Sequence, residues 1–258
     1  MIEKPYYMID FSASACMFEI RVNDYPVITM NIEGQVSTNI PINFAILSKG
    51  EQKITSTILP NIGTSKLHDK ASLSFNIRLF DVANEFVFQK QFGEYQSEPI
   101  DKKKVIPVVK HASAFLADVP YKLNAWQKSK NLKDVENIAT KLSKVYLDIS
   151  KLINTGDYDG FSKIIAKREE NMATSMYLNN SEAKSRVSEL INDFKSGFKV
   201  MPIPKNSIMQ FYGNGKVTGL KKLNGESALY LFNEKTSEEL MLDITFHIPE
   251  GKTEFEVI

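Results

Sequence analysis

Cys16-Met17-Phe18-Glu19-Ile20-Arg21-Val22 is the stretch on which the fold of this chain turns. Cys16, Phe18, Ile20 and Val22 fall on one side of an extended backbone, with Met17, Glu19 and Arg21 on the other, the period-two alternation of a strand with one face in a core. Asn23-Asp24 supplies a turn, Pro26 restarts the chain and Val27-Ile28-Thr29-Met30 continues it. Further β-type runs stand at 36–42, 52–59, 71–79, 85–91 and 105–115. Repeated strands with loops between them, and no segment of helical period, predict an all-β sandwich or jelly roll.

Downstream, the period changes near Asn131. Leu132, Val135, Ile138, Leu142, Val145, Ile149 and Leu152 recur at three- and four-residue steps between Lys, Asp, Glu and Ser, which predicts one amphipathic helix closing near Asn154-Thr155-Gly156. A second helix is expected from an Asp157 N-cap, with Tyr158, Phe161, Ile164 and Ile165 inward, and a third from Asn180-Ser181, stopping at Gly197. After Pro202 and Pro204 the period returns to two, and Gly213-Asn214-Gly215 and Asn224-Gly225 read as hairpin turns. The expected organisation is a β-sandwich over 1–118, a linker over 119–130, and an α+β domain over 131–258. In that second domain three helices (131–197) pack on an antiparallel meander sheet (199–258).

Three segments carry a resemblance to a known fold family: Phe18-Glu-Ile-Arg-Val-Asn-Asp-Tyr-Pro-Val27, Ile40-Pro-Ile-Asn-Phe-Ala-Ile-Leu47 and Gly50-Glu-Gln-Lys-Ile-Thr-Ser-Thr-Ile58. Together they are similar to a recurrent element of galactose-binding-like jelly rolls, a strand turning at Asn-Gly or Asn-Asp and a later Gly-Glu-Asn loop leading into another strand. Gln52 stands where that pattern has Asn. The resemblance implies a jelly-roll fold and no particular ligand, because the matching residues build turns.

Composition narrows the function by exclusion. Apolar residues at 43% and charged residues at 24% describe an ordinary globular chain. Residues 1–125 carry 13 basic and 13 acidic side chains, leaving 19 and 18 for the rest, so neither half has the basic excess that tracks phosphates, and no nucleic-acid partner is expected. Lys102-Lys103-Lys104 reads as a solvated strand entry. Glu3, Lys4 and Asp10 interrupt any leader-like apolar run, and no stretch is apolar enough to span a membrane. The single cysteine, Cys16, cannot form an internal disulfide, which fits a reducing, cytoplasmic setting.

No motif for chemistry survives inspection. His68, His111, His247 and Cys16 are too scattered for a metal site, and no cofactor is expected. Cys16 lies on the apolar face of its strand, and Gly213-Asn214-Gly215-Lys216 lacks the spacing and the following Ser or Thr of a phosphate loop. Asp157/Asp159 begin a helix, and Glu169/Glu170 with Lys167 and Arg168 read as an exposed helical face. The leading expectation is a non-enzymatic bacterial protein-binding protein, an immunity protein neutralising a cognate interbacterial toxin or a secretion-associated effector. Its partner-binding residues are expected among aromatics at ends and loops: Tyr25, Trp126, Tyr177 and Tyr212. A carbohydrate-binding module is the alternative. A third reading is an enzyme with its site in the C-terminal sheet, among Tyr158, Phe161, Tyr212, Tyr230, Asp243 and His247.

Overall fold

The alternation at Cys16 belongs to a strand much longer than itself. A computed structural model describes residues 2–258 and runs β1 over Pro5–Val22, β2 over Tyr25–Pro41, β3 over Ser48–Leu59, β4 over Ser72–Asp81, β5 over Val87–Gln96 and β6 over Val109–Lys122. In β1 the inward residues are Tyr7, Ile9, Phe11 and Ala13, then Cys16, Phe18, Ile20 and Val22. Parity changes from odd to even at Ala15, at φ 48, where the register with β2 slips between Ser14 and Cys16 and Ala15 stands opposite both Glu33 and Gly34. A one-residue bulge thus keeps a single face inside along all 18 residues. Burying a ring such as Phe18 completely stabilises by about 2–3 kcal/mol.

β2 follows β1 antiparallel from Val22↔Tyr25 back to Met8↔Pro41. β1 also pairs with β4 over Pro5–Ser14 and with β3 over Met17–Val22, while β5 adds to β4 and β6 adds to β3. The sheet curls, so that rings from its two halves meet: Tyr7 and Phe92 each have Phe115 at 5.9 Å and lie 6.5 Å from each other, and His111 stacks on Tyr95 at 3.9 Å. The Tyr7 hydroxyl accepts the Asp118 N–H at 2.8 Å. The β1–β2 turn places Asn23 and Asp24 at φ 54 and 61, and the Asn23 amide donates to Ala45 O and Gln52 Oε1, both at 2.8 Å. Gln52 is buried and donates in turn to the carbonyls of Ser48 and Gly50. The residues that carry the family resemblance therefore lock one turn to the start of β3.

The chain divides into two compact units, Met1–Leu123 and Asn124–Ile258. This changes the expected linker at 119–130. Val119 and Pro120 belong to β6, and 124–130 is bound into the second unit, where Lys130 N donates to Ile248 O, Glu250 N to Lys128 O, and Lys216 Nζ to Gln127 O. Polar composition made that segment look like a connector, whereas its backbone groups are partnered.

In the second unit α1 spans Ile138–Thr155, α2 Tyr158–Ser175 and α3 Asn180–Lys195. α1 starts later than its apolar period, because Leu132–Asp134 is a 3-10 turn capped by the Asn131 side chain and held by Leu132 N donating to Gly215 O. The Gly156 stop, at φ 73, and the Asp157 cap, which accepts from Gly160 N, stand as expected. β7 (Lys199–Val200), β8 (Ile208–Tyr212), β9 (Val217–Lys221), β10 (Tyr230–Asn233), β11 (Glu238–Met241), β12 (Phe246–His247) and β13 (Glu256–Val257) follow. They form two sheets, β11-β10-β7 and β13-β12-β9-β8, and not one meander. The period-two run from Glu239 to Ile248 is not one strand but breaks at Leu242–Thr245. There Leu242 O accepts from Ser227 Oγ and the Thr245 hydroxyl donates to Ile258 O, so the chain leaves one sheet for the other. Leu142, Tyr146, Ile149, Phe161, Leu229, Leu231 and Phe246 form the core beneath the helices.

Candidate functional site: an aromatic patch on the β4–β5 hairpin

β4 ends at Asp81, whose buried carboxylate organises the turn into β5. It accepts the backbone N–H groups of Glu3, Lys4 and Ala83 and the side-chain amide of Asn84. Burial works against ionisation there, but the hydrogen bonds from Asn84, Lys4, Glu3 and Ala83 outweigh it and hold the carboxyl below its ordinary range. The turn then places Glu85 and Phe86 at φ 52 and 62. Left-handed backbone costs a non-glycine residue about 1–2 kcal/mol, and it is least expected of a bulky ring.

That turn sets Phe86 over two rings, Tyr6 at 5.1 Å and Phe80 at 4.9 Å, and Phe80 meets Phe88 edge-on at 5.7 Å. Tyr6, Phe80 and Phe88 come from neighbouring strands at matched positions and share the outward side of the sheet. Phe86, Val87 and Phe88 remain 45%, 50% and 52% exposed. Contiguous exposed rings on a strained backbone run against solubility, which favours polar residues at a hairpin tip. The sequence reading placed a strand at 85–91 but no site; Phe86-Val87-Phe88, three apolar residues beside a turn, was the available signal.

The four aromatics expected to bind a partner are not brought together. Tyr212 is wholly buried and donates to Gln210 Oε1 at 2.9 Å, and Trp126 is 7% exposed with its indole against Gly213, so neither presents a surface. Tyr25 is half-buried with its ring edge-on to Phe44, and Tyr177 is half-buried at φ 58 between α2 and α3. Position at ends and loops marked these rings as contact residues, whereas Trp126 and Tyr212 are buried and Tyr25 and Tyr177 half-buried.

The residues proposed for an enzyme site are likewise dispersed. Phe161 and Asp243 line a cavity of about 200 Å³ with Arg168, Glu169 and Arg186. Its charges are already matched: Glu169 bridges Arg168 and Arg186, at 3.0 Å to the latter, and both oxygens of Asp243 lie 2.7 Å from Lys221 Nζ. Glu169 is therefore a tie between α2 and α3 and not part of an exposed face. His247 is buried, with Nδ1 2.7 Å from the equally buried Ser129 Oγ. Desolvation lowers its pKa, as Lys252 also does, while Glu256 works the other way. This pair lies outside the cavity and ties residue 129 to the sheet.

Among the described residues no group of three or more His, Cys, Asp or Glu side chains is arranged to hold a metal ion. No helix among them is long and apolar enough to cross a membrane. Comparison with protein-family models, with curated proteins and with solved structures finds no match.

Proposed function

We propose that this chain is a non-enzymatic protein-binding protein that engages a folded partner domain through the Tyr6–Phe80–Phe86–Phe88 patch. The observation that carries this reading is the pair of half-exposed rings, Phe86 and Phe88, the first of them held in a left-handed turn that its residue type disfavours. Preorganised aromatics of this kind concentrate binding energy, with truncation of a hot-spot ring costing about 2 kcal/mol or more. In the same proposal, Met1–Leu123 is a jelly-roll-like β-sandwich formed by bending the long β1–β2 hairpin at Ala15, and Asn124–Ile258 is an α+β domain. The partner put forward is the one the sequence led to, a toxin or secretion-associated effector neutralised by direct contact.

Co-expression with the product of the neighbouring gene, followed by size-exclusion chromatography, tests this directly. A one-to-one complex is expected, together with rescue of growth when that product is toxic. Replacing Phe86 and Phe88 by Ala should weaken it at least about a hundredfold, the scale of one or two lost hot-spot rings. Absence of any complex, or a complex untouched by the double substitution, defeats the reading.

A further inference from the structure

The outward side of the strands that carry the aromatic patch changes character along its length. In the register of β1, β2, β4 and β5, Ser12 lies between Ser37 and Ser74, and Ser74 is opposite Gln96. One step along the strands, Asp10 lies between Asn39 and Asn76. β5 bulges at this point: Phe75 faces Tyr95 whereas Ile77 faces Phe92, so Gly93, at φ 65, and Glu94 supply an extra residue. Gln91 donates to Glu94 Oε1 at 3.0 Å and the two stand together as a wall. A trough of about 490 Å³ results, floored by the serines and bounded by Asp10, Asn76, Gln91, Glu94 and Gln96.

Two observations separate this trough from an ordinary solvated sheet face. Outward positions of inner strands gain most from β-branched and aromatic residues, and Asp and Asn are depleted there. Here β1 carries Asp10 and Ser12, and β4 carries Ser74 and Asn76, at successive outward positions, a local contradiction of strand preference of the sort that accompanies a site. The second observation is that Asn76 Oδ1 is buried without a hydrogen-bond partner, although Asp10 beside it is tied to Arg78 at 2.5 Å. Rotating the Asn76 amide toward a ligand breaks no bond at that oxygen.

The chemistry of the lining selects the ligand. Arg78 neutralises Asp10, Glu94 is engaged by the Gln91 amide, and the amides and hydroxyls each donate and accept, which disfavours an anion and suits an uncharged molecule dense in both kinds of group. We propose that the trough is a binding site for an uncharged, hexose-sized saccharide, hydrogen-bonded by Asp10, Asn76, Gln96 and the serine floor.

Titration of isotope-labelled protein with glucose, galactose, mannose, N-acetylglucosamine, maltose and cellobiose, followed by amide shifts, is the test. At least one sugar is expected to give saturable shifts centred on residues 10, 12, 74 and 76. The double substitution Ser12→Val and Ser74→Val should weaken that sugar by about tenfold or more, the effect of losing one or two hydrogen bonds, while leaving Tm unchanged or higher because Val suits a strand. Asn76→Thr serves as a second variant with the same expected loss. No saturable shift with any of the sugars, shifts centred elsewhere, undiminished affinity in both variants, or occupation by calcium or inorganic phosphate in place of sugar overturns the assignment. Phe86→Ala with Phe88→Ala should leave sugar binding intact, so failure of the protein-docking reading is told apart from failure of this one.

Discussion

Tyr146 shows how one side chain joins helix to sheet in the C-terminal unit. Its ring is buried edge-on to Phe246, and its hydroxyl accepts the Leu220 N–H at 2.8 Å and reaches Ile244 O at 3.4 Å. Burial pushes the phenol well above its ordinary pKa, against the Leu220 hydrogen bond. Tyr146→Phe leaves the Leu220 N–H unpaired in the core and should cost about 1–3 kcal/mol in urea unfolding, with m unchanged. Cys16 is similarly enclosed, its thiol pushed up to about 11 by desolvation against hydrogen bonds with Ser14 and Ser72, so a thiol reagent at pH 8 should label it only after unfolding. His247 and Asp81 define two separate pH windows. For His247 the folded pKa lies below the ordinary 6.5, so its contribution is complete above that pH and is lost as pH falls through 6.5 toward the folded value. For Asp81 the folded pKa lies below 3.8, so its contribution persists to lower pH and is lost only beneath that value. Thermal melts should therefore show a first decline as pH falls below about 6.5, reduced in His247→Gln, and a second below about pH 3.8.

At the scale of elements, what could be read from the chain was whatever is encoded locally. Gly156 and Asp157 announced the end of one helix and the start of the next, because a left-handed stop and a side-chain acceptor are properties of single residues. The capping box of α3, in which Asn179 accepts from Ser181 and Glu182 N and Glu182 accepts from Asn179 N, is visible as Asn-x-x-Glu one residue ahead of the expected start. Asn179→Ala should cost about 1 kcal/mol and fray the first turn of α3, measurable by amide exchange. The late start of α1 was not legible, because Leu132 keeps helical spacing while its N–H is claimed by Gly215 from 83 positions away. Nor was the full length of β1 recognised, although Tyr7, Ile9, Phe11 and Ala13 alternate as plainly as the residues after them. The register slip at Ala15 shifts the period by one and hides the continuity of the two halves. Ala15→Gly, which relieves the positive φ, should be tolerated, with soluble expression retained.

At the scale of the whole molecule, the mostly-β chain with three helices toward its C-terminus was legible, since periodicity reports which face each segment buries. The division of the C-terminal strands into two sheets was not, because it depends on where Ser227 and Ile258 meet the chain. Candidate sites were legible least. Tyr212, just before a turn glycine, and Trp126, in a polar segment, read as ends or loops, yet packing encloses both, while Phe86 and Phe88 read as strand interior and emerge at a hairpin tip. Trp126 gains a use from its enclosure. It is the one tryptophan of the chain and belongs to the C-terminal unit, with a Cβ on Gly213 reaching within 2.6 Å of its indole nitrogen. Its emission is thus a built-in spectroscopic gauge of that unit alone. Folded protein should emit in the blue, Gly213→Ala should shift that emission to the red before any denaturant is added, and the fluorescence melt set against circular dichroism should reveal whether the two units lose structure in one transition or in succession.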